Sequence, residues 1–206
     1  MQQGSEEWKL ARLGRVTASR VADVVARTKS GHAASRANYM AELICERLTG
    51  CVADCFVSPA MQHGVAYEPF ARQAYELAMG VDVLETGFVA HPEIDMAGAS
   101  PDGYVGDDGL VEIKCPNTAT HLDTLLGAAI PEKYLTQMQF QMACTGRQWC
   151  DFASFDPRLP EEMRLHVRRV PRDVSVILDL ETEVAAFIRE IDAKLAALAA
   201  RYKDAA

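Results

Sequence analysis

The stretch from Ser100 to Lys114 constrains this chain most. It reads Ser100-Pro101-Asp102-Gly103-Tyr104, then Val105 to Gly109, then Leu110-Val111-Glu112-Ile113-Lys114. Pro101 and Gly103 around Asp102 specify a turn, and two glycines with an Asp pair between Val105 and Gly109 specify a hairpin loop. Side chains alternate along a strand, so Glu112 and Lys114 share one face while Val111 and Ile113 take the other. A hairpin brings Asp102 back beside Glu112. Two carboxylates and an ammonium group then converge, the equipment for holding a divalent metal and handling a water near a phosphate.

Glu-x-Lys alone carries little, because at roughly 6% of each residue a chain this long holds about one by chance. The plain reading is an exposed strand whose Glu and Lys pair on the solvated face. The Pro-Asp-Gly turn one hairpin upstream weakens that reading, and the remaining segments decide.

The N-terminal half reads as helical. Ser5 to Leu13 forms a short helix with Trp8 and Leu13 toward the buried side, broken by Gly14. A second helix starts at Thr17-Ala18-Ser19, runs to about Ala26, and takes Thr17 as its N-cap. Arg12, Thr17 and Ser19 then surround a helix N-terminus, where free backbone N–H groups favour an anion. An ordinary cap with a solvated Arg12 is the simpler alternative. Arg27 to His32 is a polar, basic loop, either a linker or a contact for DNA phosphates. Ser35 to Leu48 is a helix with Tyr39, Met40, Leu43, Ile44 and Leu48 at core spacing. Cys51 to Val57 is a connection. Ser58 to Met79 is a long helix, interrupted at Gly64 if anywhere, with Tyr67, Phe70, Ala71, Ala74, Tyr75 and Ala78 on its apolar face. Glu68 lies beside that face, placed for either solvent or a cleft.

Strands follow at Val81–His91, Met96–Ala99 and Leu110–Cys115, then helices at Thr118–Leu126 and from Pro131 to about Thr145. Gln137 and Gln141 lie one turn apart on the latter, as a solvated boundary or as hydrogen-bonding groups for a phosphate or a metal-bound water. Gln148–Phe155 and Met163–Val170 are strands. Asp173 to about Tyr202 is an amphipathic helix with Val176, Leu180, Val184, Phe187, Ile191, Leu195 and Leu198 at core or interface spacing. The order predicts an α/β or α+β fold with a central mixed sheet, in a single domain spanning 1–206 with the C-terminal helix at about 173–202.

The net charge of −8 argues against non-specific coating of nucleic acid, since phosphate contacts need Lys and Arg. An enzyme with its basic residues gathered in one channel is compatible with it. Six cysteines, with no C-x-x-C pair and no apolar leader at the N-terminus, read as reduced thiols, and the spacing of Cys45, Cys51 and Cys55 fits no common metal pattern. No apolar run approaches a membrane span, so a cytoplasmic location is expected.

Several stretches match one family in one order. They are Trp8 with Ala11 to Gly14, Val16 to Ser19, Gly64 to Glu68, Ser100 to Gly103, Glu112 to Pro116, Tyr134 to Gln141 and Phe155 to Arg158. The chain thereby resembles the lambda-exonuclease and YqaJ-type viral recombinase family of the PD-(D/E)xK nuclease superfamily, from about residue 5 to residue 170. The resemblance implies a restriction-endonuclease-like core. It also implies a magnesium-dependent exonuclease, with two ions replaceable by manganese, that degrades one strand of duplex DNA 5′ to 3′ to mononucleotides. A 3′ single-stranded tail for phage-type recombination would remain.

By the same resemblance Asp102 and Glu112 are the main metal ligands, helped by the Ile113 carbonyl and by Glu68. Lys114 positions or activates the attacking water, and Gln137 lies near the catalytic centre. Arg12, Thr17 and Ser19 form the pocket for the terminal 5′ phosphate, and Lys29 belongs to a loop approaching the duplex. Homotrimeric rings, a single-strand annealing partner and a bacterial or prophage origin are also implied. The family's further acidic residue before the turn is not assigned, with Glu93 and Asp95 both nearby. The competing readings are another PD-(D/E)xK repair or recombination nuclease, and a non-catalytic protein that binds DNA ends through the phosphate pocket alone.

Overall fold

The computed structural model describes residues 1–29, 31–52 and 59–203. In chain order its helices are α1 (Glu6–Arg12), α2 (Val21–Val25), α3 (Ala34–Thr49), α4 (Pro59–Met79), α5 (Thr118–Leu125), α6 (Glu132–Thr145) and α7 (Val174–Lys203). Its strands are β1 (Val16–Thr17), β2 (Arg27–Thr28), β3 (Gly31–His32), β4 (Val83–Leu84), β5 (Val89–Ala90), β6 (Ala97–Ala99), β7 (Gly103–Val105), β8 (Gly109–Lys114), β9 (Trp149–Phe155) and β10 (Leu165–Pro171).

The main sheet has the order β10-β9-β8-β7-β4, with β8 at its centre. The β8–β9 pair is parallel and the other pairs are antiparallel. Parallel neighbours need a long crossover, which α5 and α6 supply. Alternation along β8 and β9 then builds two cores. Val111, Ile113, Ala153 and Phe155 pack with Ala71 and Tyr75 of α4. Leu110, Cys150 and Phe152 pack with Met138 and Met142 of α6 and Ile177 of α7. A third core joins α2, α3 and α7 to Phe140 and Cys144 of α6 and to a small sheet of order β1-β6-β5. The result is the mixed α/β architecture expected, a mixed sheet flanked by helices.

Local sequence explains most element ends. Ser5 caps α1 by accepting the Trp8 N–H at 3.2 Å, and Asn117 caps α5 by accepting the Thr120 N–H at 2.9 Å. Gly14 takes φ +67 just past α1, a conformation that other residues resist. At Gly103 a side chain has no room, because a Cβ there would sit 2.1 Å from Val83 of the neighbouring strand.

Several expectations are corrected. Val81–His91 is not one strand: β4 belongs to the main sheet and β5 to the small one, with the chain crossing between them. Thr17 does not cap a helix with its side chain. It ends β1, a 3₁₀ turn follows at Ala18–Arg20, and α2 begins only at Val21. The Arg27–His32 segment is a small antiparallel hairpin rather than a loop. Helix α4 runs unbroken through Gly64 and also through Pro69. Leu48, Phe70, Ala78 and Val176 face solvent rather than the core. Ser58, Cys55 and most of the Cys51–Val57 connection lie outside the described residues. The described cysteines are free thiols.

Candidate active site

The β7–β8 register pairs Gly103 with Val111, which sets Asp102 across from Glu112. Asp102 Oδ2 accepts the backbone N–H of Ile113 at 2.6 Å, so the turn is pinned to the strand it faces. Glu112 is fully buried and points toward α6. Its Oε1 accepts from Gln137 Nε2 at 2.6 Å and from the Lys114 ammonium; its Oε2 accepts from Gln141 Nε2 at 2.6 Å. Three donors converge on this one carboxylate. Lys114 also lies 5.1 Å from the Tyr134 ring centroid.

Glu68 reaches the same place from α4, held by Arg72 at 3.1 Å, while Arg72 also pairs with Glu85. Burial raises the Glu68 carboxyl above its ordinary range, and Glu112 adds to the rise against the pull of Arg72. Asp102 is raised well above the usual carboxylate range, first by lost hydration and then by Glu112. For Lys114, burial alone would lower the ammonium. Glu112 and Asp102 outweigh it and hold the charge in place. Three mutually repelling carboxylates around one lysine form a site short of positive charge.

The donor set fits a hard divalent cation. Among the described residues no three His, Cys, Asp or Glu side chains form a ready metal cage. Magnesium does not need one, being held by one or two carboxylates with waters and substrate phosphate oxygens. Asp102 and Glu112 would supply two such carboxylates, with Glu68 close enough to feel them.

A second cluster adjoins the first. The Arg12 guanidinium stacks 4.1 Å above the Trp8 ring and donates to Ser100 Oγ at 3.2 Å; Trp8 Nε1 donates to the same oxygen at 2.9 Å. Burial lowers the Arg12 guanidinium from its ordinary value, with Tyr39 and Glu46 pulling the other way. The Tyr39 hydroxyl accepts the Thr17 N–H at 3.1 Å, and Thr17 Oγ1 lies 3.4 Å from Ser19 Oγ. Arg12, Thr17 and Ser19 are thus gathered around Tyr39, with Thr17 buried and Ser19 exposed. Lys29 sits exposed by the turn of the β2–β3 hairpin, whose Arg27 pairs with Glu183 of α7 at 2.6 Å. The Glu93 N–H donates to His91 Nδ1 at 3.1 Å.

Sequence reasoning missed Ser100, which ties Arg12 to the loop carrying Asp102. Its place in the Ser-Pro-Asp-Gly run was the available signal. Sequence reasoning paired Gln141 with Gln137 as a solvated boundary or as a hydrogen-bonding group for a phosphate or a metal-bound water, whereas the Gln141 amide is buried and donates to Glu112.

The YqaJ-like viral recombinase domain model matches residues 7–148. Two crystal structures of LHK-Exo, an alkaline exonuclease from Laribacter hongkongensis, one of them in complex with dAMP, superpose with TM-scores of 0.92 and 0.91. Each is 53% identical over 98% of this chain and 100% of the other. A phage-related exonuclease from Haemophilus somnus 129PT shares the fold, with a TM-score of 0.68 and 16% identity over 89% of this chain and 96% of that one. No curated protein sequence matches the chain.

Proposed function

Because the chain belongs to the YqaJ-like viral recombinase domain family, we propose that it is a magnesium-dependent exonuclease that degrades one strand of duplex DNA from its 5′ end. The observation that carries this reading is the junction of two clusters on one loop. Asp102, Glu112 and Lys114 form a site for cutting a phosphodiester, and Arg12 with Ser100 forms a cationic pocket two residues away along the chain.

Bound magnesium would neutralise charge on the scissile phosphate and acidify the attacking water. Asp102 and Glu112 are its side-chain ligands in this reading, with Glu68 and the Ile113 carbonyl completing the protein's share. Lys114, anchored on Glu112, orients the water. The water oxygen bonds to phosphorus, the bond to the leaving 3′ oxygen breaks, and that oxygen takes a proton. Each cut releases a mononucleotide and leaves a new 5′ phosphate. Arg12, Ser100 and Ser19 receive that phosphate, with Thr17 holding Tyr39 behind them, which favours repeated cutting without release. The dAMP complex of LHK-Exo is one with a mononucleotide, the class of product expected here. Lys29 contacts the duplex backbone. Manganese replaces magnesium, three copies form a ring around the duplex, and an annealing protein takes up the 3′ tail.

Digestion of linear duplex DNA labelled at either strand end tests the reading. With magnesium, label at the 5′ phosphate should be released first, as mononucleotide. Lys114→Ala should cut at least about 100-fold more slowly while still binding DNA ends. Release of 3′ label first would overturn the polarity. End binding without any cutting by the wild type would favour a non-catalytic end-binding protein, and cutting within closed circles would favour another nuclease of the superfamily.

A further inference from the structure

The two oxygens of Glu112 are held differently. Oε1 takes its hydrogen bonds from Gln137 and Lys114, which are both partly exposed. Oε2 takes its bond from Gln141, which is completely enclosed in α6 with a side chain that reaches no solvent. The Gln141 amide also carries a cost: its Oε1 is buried without a hydrogen-bond partner. Turning the amide over would point that oxygen at a carboxylate, acceptor against acceptor. Glu112 therefore fixes which way the amide faces, and the unpartnered oxygen is the consequence. A methionine would fill the same space with no orphaned acceptor. A residue that costs stability and still presents its one useful donor to a catalytic carboxylate is placed for the site rather than for the core.

Resting on the proposed metal-dependent function, we propose that Gln141 is a positioning residue: by holding Oε2 of Glu112 from inside α6, it makes Oε1 the oxygen presented to the divalent cation and the substrate. Gln137 and Lys114 sit on the open side, where side chains have room to shift. Gln141 has none. The two glutamines, one turn apart on the same helix, so divide the work between a movable donor and a fixed one.

Gln141→Met removes the donor at nearly constant volume, and Gln141→Asn withdraws the amide by one methylene. Calcium binding to the DNA-free protein, followed by calorimetry, and the magnesium concentration giving half-maximal digestion are the two readouts. Groups that orient a metal ligand typically control metal affinity by about 10- to 100-fold, so both variants should weaken calcium binding and raise the magnesium requirement by about that factor. Their affinity for a 5′-phosphorylated duplex end in EDTA should stay at the wild-type value. A folded variant with calcium affinity and magnesium requirement within about twofold of wild type would overturn the proposal. So would failure of both variants to fold, which would make Gln141 a stability residue. A wild type that neither binds calcium nor digests DNA brings down the functional reading and this role together. A wild type that does both, beside an unaffected Gln141→Met, brings down the positioning role alone.

Discussion

Arg12 has given up water on the face that covers Trp8, and the hydrogen bond it makes beside that ring runs to the neutral hydroxyl of Ser100. A partly dehydrated cation hydrogen-bonded to a neutral hydroxyl binds an incoming phosphate more strongly than a solvated one, because less hydration is lost on contact. Arg12→Ala should therefore reduce the preference for 5′-phosphorylated over 5′-hydroxyl ends by about tenfold or more, read from initial rates on the two substrates. An unchanged preference would remove Arg12 from the pocket. Asp102, Glu112 and Lys114 were legible in the sequence because a hairpin is local: its register follows from the turn and the strand alternation. The bond from Arg12 to Ser100 joins residues 88 apart in sequence, and no periodicity reports such a contact.

At the scale of elements, β9 shows how a strand end is secured. Asp156, just past it, is buried and accepts Arg158 Nε at 2.7 Å, Arg158 Nη2 at 2.9 Å and the Arg158 N–H at 3.0 Å. Burial pushes the Asp156 carboxyl up, but the bonds from Arg158 and Thr118 outweigh it and bring it down to about 2. A depressed carboxylate stabilises the fold above its unfolded pKa of 3.8 and loses that contribution as the pH falls through about 2. Asp156→Asn should cost about 1 kcal/mol at pH 7, allowing for solvent around Arg158, by urea denaturation. The gap from wild type should narrow between about pH 4 and pH 2. A gap that stays constant over that range would show that the charge of Asp156 is not what matters. Elements with a clean period, β8 and α6 among them, were legible. The Val81–His91 run was not: alternation there is compatible with one long strand, and only the presence of two separate sheets divides it. Thr17 looked like a cap because of its residue type, but its N–H is tied to Tyr39, 22 positions on.

For the molecule as a whole, the charge of −8 leaves little cationic surface for one chain to grip DNA. Three copies pooling their basic residues around one duplex would resolve this, and sedimentation at working concentration should give about three times the 22.6 kDa of one chain. A monomer would count against the ring. The central mixed sheet was legible from the order of elements, whereas the sharing of α6 between two cores was not, since Gln137 and Gln141 read as the boundary of a single apolar stripe. No helix among the described residues is long and apolar enough to cross a membrane. The loop that holds both Ser100 and Asp102 has a final consequence at this scale. Two residues of backbone span at most about 7 Å, so under the proposed function the grip on a strand's end and the point of scission would stay a fixed distance apart. Under the proposed function, the stride is gauged by the peptide, and every advance along DNA repeats the same short measure.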